Sequence, residues 1–285
     1  MKDTYLLDNY SINFNGNLLN LNTPIVMSIL NTTPDSFFDG GKYNSLEGAL
    51  KKVEKDLESG ATIIDIGGYS TKPNGHEVSL EEEIKRTIPY IEAIIRRFPN
   101  VNLSIDTFRG KVASLALQAG AGMINDISAW NIDDEMIKIV SKYKVPYVLM
   151  HMRGKPKTMQ NEPHYDNLIK DILDFLVKKI DILKSNGLKD IIIDPGFGFG
   201  KTIAHNYSIL SNLNCFNVLK LPILVGISHK SMIYKKLKIS KLETLNGTTA
   251  LNMYSLSKGA KILRVHDVKE AMECIKLSEA INKNY

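Results

Sequence analysis

Cysteine is scarce: Cys215 and Cys274 are the only two in 285 residues. Two thiols make no disulfide framework, and free thiols suit a reducing compartment. Long apolar runs are missing as well. No stretch approaches the roughly 18 residues that a spanning helix needs. The opening segment MKDTYLLDNYSINFNG has neither the apolar centre nor the cleavage site of a secretion signal. A cytoplasmic protein without a membrane partner is expected. Lys and Arg number 36 against 31 acidic residues, a net charge of +5, and they are dispersed along the chain. That argues against a nucleic-acid partner, which selects a concentrated basic stripe. No HxxxH or CxxC spacing marks a tight all-protein metal site. Repeats, low-complexity tracts and linkers are absent too, so residues 1–285 are expected to form one domain.

What is present is a regular alternation. Short β-rich runs occur at 24–30, 62–67, 101–106, 122–126, 146–150, 190–195, 222–228 and 261–267. Helical patterns lie between them, at 45–60, 79–98, 109–120, 133–143, 165–187, near 205–213, near 241–258 and at 268–281. Several begin at Ser or Asp and end at Gly, as helix caps prefer. The strand runs are almost continuously apolar, the mark of a parallel sheet buried on both faces. Eight such units predict a closed (β/α)8 TIM barrel. The rival is an open doubly wound sheet, but no GxGxxG turn follows the first strand. Around residues 4–20 an Asn-Gly turn (NFNGNLL) predicts a short hairpin outside the barrel.

Chemistry-bearing side chains follow every strand: Asn31, Asp65, Asp106, Asn125 with Asp126, His151, Asp194, Lys230, and Arg264 with His266. A barrel gathers these ends at one mouth, where such folds keep their active sites. Asp106, Asn125 and Asp194 suit the donor edge of a guanidine-like heterocycle. Helix capping is the plainer role for the two carboxylates. In IIDPGFGFGKT the glycines let backbone approach a planar ligand, and Phe197 or Phe199 can stack on it. The GxxxxGK[ST] spacing of a P-loop is not met. Arg264 and His266, two apart in RVHDV, share one side of the last strand. With Asn31 from the neighbouring first strand they form an expected anion pocket. Lys230 in SHKS fits a Schiff-base nucleophile or a binding cation. HMRGKPKTMQ reads as a mobile or solvated loop. NTTPDSFFDGG carries Phe37 and Phe38 among turn residues. It is expected to be a ligand-gated lid, the alternative being Phe side chains packed under a neighbouring loop.

Taken in order, NTTPDSFFDGG, IDIGGYSTKP, SIDT, NDIS, LMHMRG, IDPGFGFGKT, GISHKS and RVHDV resemble the dihydropteroate synthase family, from residue 24 onward. The resemblance implies a barrel transferase of folate synthesis. It would join 4-aminobenzoate to a dihydropterin-methyl diphosphate, with diphosphate leaving before the aniline nitrogen attacks. It assigns Asp106, Asn125, Asp194 and Lys230 to the pterin, and Asn31, Arg264 and His266 to the diphosphate. Thr71, Lys72, Pro73, Phe199 and Ser231 would frame 4-aminobenzoate. Asn31, Asp39 and Lys230 take the catalytic places, with Asn31 beside a Mg2+ cofactor. A homodimer is implied as well. Three departures stand out: Lys72 replaces the usual Arg of STRP, His229 an Arg, and Tyr69 a Glu or Gln. A pterin-binding methyltransferase, a Schiff-base aldolase and an inactive paralogue are the competing readings.

Overall fold

A computed structural model describes residues 10–33, 45–69, 77–154, 159 and 163–282. Two short strands open it, β1 (Ser11–Phe14) and β2 (Asn17–Asn20), paired antiparallel. Asn15 and Gly16 turn between them at φ 50° and 90°. Those left-handed values are what a two-residue hairpin loop demands, and Asn-Gly meets them at least steric cost. The part of the expected hairpin at residues 4–9 lies outside the described residues.

Eight parallel strands follow: β3 (Ile25–Asn31), β4 (Ile63–Gly67), β5 (Asn102–Asp106), β6 (Met123–Asp126), β7 (Tyr147–Met150), β8 (Ile191–Asp194), β9 (Ile223–Val225) and β10 (Ala260–Val265). They close as β10-β3-β4-β5-β6-β7-β8-β9. The outer helices are α1 (Leu46–Glu58), α2 (Leu80–Arg97), α3 (Gly110–Gln118), α4 (Glu135–Tyr143), α5 (Leu168–Ser185), α6 (Ile203–Ser211), α7 (Ser231–Leu237), α8 (Leu245–Ser257) and α9 (Val268–Asn282). The caps are those the sequence advertises: Ser45, Ser79, Asn167 and Thr202 each accept a backbone N–H from the first turn of their helix. One expectation needs correcting. The helical pattern near 241–258 is preceded by the separate seven-residue α7, too short to leave a periodic signature.

Strand periodicity divides the core in two. Val26, Ile64, Leu103, Ile124, Leu149, Ile193 and Leu263 face outward under the helices. Met27, Ile63, Met123, Val148, Ile192, Leu224 and Ile262 fill the barrel interior, where Ile12, Phe14 and Leu21 of the hairpin region close the floor. Burying one such Leu, Ile or Phe contributes about 1.5–3 kcal/mol. The hairpin presses so closely on Gly122 that a Cβ there would lie 2.6 Å from the Phe14 ring. Two residues beyond the interior layer, the same inward face brings Asp65, Asn125, Met150, Asp194 and Arg264 to the open end.

Candidate active site

Arg264 organises one side of the mouth. Its Nε donates to Asp65 Oδ2 at 2.7 Å and its Nη2 to Asp106 Oδ2 at 2.6 Å. Asn125 Nδ2 donates to the same Asp65 oxygen at 2.9 Å. Burial works against the Arg264 cation, but Asp65 and Asp106 outweigh it and hold the guanidinium protonated. Burial pushes the Asp106 carboxyl up to about 7, with Arg264 opposing and Asp65 adding to the shift. Bonds to described residues use two of the five guanidinium N–H groups.

The other side is built on the Gly-Phe turn after β8. Asp194 Oδ1 accepts from Gly196 N at 2.7 Å, and Lys230 Nζ donates to Phe197 O at 2.5 Å. The Lys230 ammonium stands 4.9 Å from the centre of the Phe199 ring. Burial drives that amine down to about 8, resisted by Asp194, and burial raises the Asp194 carboxyl, resisted by Lys230. The two Phe side chains diverge. Phe197 is buried in the outer core, whereas Phe199 joins an apolar wall of Phe108, Ile127, Met150, Met152 and Met159 at the mouth.

Asn31 ends β3 half-buried, and its side chain has no hydrogen-bond partner among the described residues. His266 follows β10, its backbone N bonded to Ser228 Oγ at 3.3 Å. Burial, and then neighbouring His229, hold its ring below the ordinary range, hence neutral. No hydrogen bond joins Asn31, Arg264 and His266 to one another. Ser231 opens α7 directly after Lys230. Asp39, Thr71, Lys72 and Pro73, together with Phe37 and Phe38, lie outside the described residues.

Two expectations are overturned. Asp126 does not face the mouth: odd-numbered Asn125 turns inward, so Asp126 turns out. There it accepts from Tyr147 Oη at 2.7 Å, Ser128 N at 2.7 Å and Trp130 N at 2.9 Å, tying down the turn after β6. The segment from His151 is only partly solvated where it is described: Arg153 and Gly154 are exposed, whereas His151, Met152 and Met159 are buried. Composition suggested solvent; methionine instead fills the irregular apolar gap beside Phe199.

Two of the sequence departures act as braces. His229 Nε2 meets Asp267 Oδ2 at 2.5 Å and its Nδ1 meets Thr244 Oγ1 at 2.6 Å, joining the Lys230 turn to α8 and to the turn after β10. Tyr69 packs edge-on against Phe108, ring centres 5.0 Å apart, with the Arg109 guanidinium 5.4 Å over its ring. Buried Glu83 holds that guanidinium at 2.6 Å. Sequence reasoning named Asp65 without a role and missed Lys201, Glu83 and the methionines. Strand parity from Ile63 was the available signal for Asp65; the others had none.

Among the described residues no group of three His, Cys, Asp or Glu could hold a metal, and no helix is long and apolar enough to cross a membrane. A family model described as "Pterin binding enzyme" matches residues 27–266. Dihydropteroate synthase of Escherichia coli (strain K12) is 43% identical over 277 residues, covering 95% of this chain and 98% of that protein. The crystal structure of the Yersinia pestis dihydropteroate synthase in a sulfonamide drug complex superposes with a TM-score of 0.92 at 42% identity, covering 96% of this chain and all 100% of that one. That of Xanthomonas albilineans dihydropteroate synthase with 4-aminobenzoic acid gives 0.89 at 36% identity, covering 97% and 100%.

Proposed function

The chain belongs to the dihydropteroate synthase family of pterin-binding enzymes, and from that premise we propose how its own residues run the transfer of a dihydropterin-methyl group from diphosphate to 4-aminobenzoate. Asp106, Asn125 and Asp194 read the amino and ring-nitrogen edge of the pterin through charge-assisted hydrogen bonds. Lys230 lies beside Asp194 as a cation over the ring site. The Arg264 N–H groups that no described residue engages, with His266 and Asn31, receive the diphosphate.

The carbon–oxygen bond to diphosphate breaks with both electrons leaving on oxygen. The aniline nitrogen then bonds to the methylene cation and sheds one proton. Arg264 and Lys230 offset the negative charge that separates onto the leaving group. The apolar wall of Phe108, Ile127, Met150, Met152 and Phe199 keeps water from the cation. Thr71, Lys72, Pro73, Phe199 and Ser231 frame 4-aminobenzoate, and Asp39 helps to order that site.

A Mg2+ ion fits this site in one way only. Among the described residues the Asn31 amide oxygen has no hydrogen-bond partner, and no group of three His, Cys, Asp or Glu accompanies it. That donor set suits an ion held chiefly by phosphate oxygens and water. Such an ion supplies charge neutralisation to the departing diphosphate. The protein is read as a cytoplasmic homodimer. Exposed Leu237, Leu242, Leu245, Tyr254, Leu277 and Ile281, all between α7 and α9, support the pairing, which sedimentation equilibrium tests.

The observation that carries the reading is the bridging of Asp65 and Asp106 by Arg264, with Asn125 on the same carboxylate. Incubation with dihydropterin diphosphate, 4-aminobenzoate and Mg2+ is expected to yield dihydropteroate and diphosphate. A folded protein that forms neither would refute the reading.

A further inference from the structure

Lys201 is buried, 2% exposed, and takes no part in the chemistry described above. Its Nζ lies 3.0 Å from His151 Nδ1, 3.2 Å from His151 O and 3.0 Å from Phe199 O. Burial lowers this amine to about 7, and in its protonated form its three N–H groups meet three acceptors. In that form Nδ1 of His151 accepts, so the ring carries its proton on Nε2 and is neutral. Burial followed by the Lys201 charge keeps it so, pushing the ring down to about 2.

The bonds span a backbone-to-backbone contact. Gly196 and Gly200, both at positive φ, pack so closely on the exit of β7 that a Cβ would collide with the carbonyl oxygens of His151 and Arg153. Asn206 Oδ1 holds Gly198 N from behind at 2.7 Å. Lys201 therefore ties the Gly-Phe turn from within. That turn supplies both the Phe199 ring beneath the Lys230 ammonium and the Phe197 carbonyl that Lys230 grips.

We propose that Lys201 is a positioning residue: it pins the 196–200 turn to the end of β7 and so fixes the Phe199 ring for the second substrate, 4-aminobenzoate. The assignment to that substrate rests on the function proposed above; the pinning itself does not. The charged groups around Lys201 are Asp194 and Lys230, with Arg153 near His151.

Lys201→Met keeps the length of the side chain and removes the donors. The variant is expected to raise the KM for 4-aminobenzoate at least tenfold, with the KM for dihydropterin diphosphate within about twofold. Phe199→Ala should do the same. The double variant should be no worse than the poorer single one, because both changes act through one ring. Multiplied losses, or equal losses for both substrates, would overturn the proposal. Should Lys201→Met not fold, Lys201→Gln, with two N–H donors on a shorter stem, carries the same cycle. Failure of both to fold also overturns it, since a local pin is not needed for the barrel. Hydrogen exchange reads the pinning without activity: amides of Gly198 and Phe199 should exchange at least tenfold faster in Lys201→Met, with the β-strands unchanged. Unchanged exchange at those two amides sinks the pin even in an active enzyme. A wild type that makes no dihydropteroate sinks only the functional reading.

Discussion

Replacing Arg264 by Met tests the network at the heart of the mouth. The change removes two ion pairs, at 2.7 Å to Asp65 and 2.6 Å to Asp106. Asp65 is fully buried, so its uncompensated charge carries most of the cost; the Asp106 side chain is 21% exposed and carries less. Breaking a buried pair costs about 3–5 kcal/mol, and partial exposure puts this one near the lower end, at about 3 kcal/mol. At about 2–4 °C per kcal/mol for a chain of this size, Tm should fall by about 6–12 °C. The dependence on pH has a definite sign. The Asp106 carboxyl is raised in the fold to about 7 from an ordinary 3.8. Between those values the folded state binds more protons than the unfolded one, so stability falls as pH rises and levels off above about 7. Without Arg264 the carboxyl rises further, and the loss continues to higher pH. The gap between wild type and Arg264→Met should therefore be wide at pH 8 and narrow towards pH 4. Scanning calorimetry across that range measures it. A drop below about 2 °C at pH 8, or a gap that widens on acidification, would refute the reasoning.

Asp194→Asn keeps an oxygen for the Gly196 N–H but offers a pterin one acceptor in place of two. We expect a loss of about 1–3 kcal/mol, or roughly 5–150-fold in pterin affinity, with Tm within a few degrees; unchanged affinity by titration calorimetry would contradict the ring site. The Lys230 amine, driven down to about 8 by burial, is a cation below that pH. The rate should fall as pH rises through about 8 in the wild type, and Lys230→Arg should lack that limb; a profile identical in both would show that the charge is not used. Borohydride treatment with a carbonyl compound should leave no adduct on Lys230 by mass spectrometry, and a stable adduct would favour the aldolase reading.

Much of this protein is written locally. Nearly continuous apolar runs ended by polar residues marked all eight barrel strands, because strands buried on both faces need apolar side chains at both parities. Asn15-Gly16 announced the hairpin, and Ser45 and Ser79 two of the helix starts, since turns and caps are settled within a few residues. Asp106, Asn125, Asp194, Lys230 and Arg264 were legible as strand-end residues for the same reason. Their partners were not. Arg264 lies 199 residues from Asp65 and 158 from Asp106, and only closure of the barrel brings them into contact. The role of Lys201 was decided in the same way: it is drawn inward by three acceptors on two separate loops. Asp126 is set partly by strand parity and the nearby turn after β6, and partly by Tyr147 on the next strand. A side chain's identity records which hydrogen bonds it is able to make; which it does make is set by the distances that tertiary packing imposes.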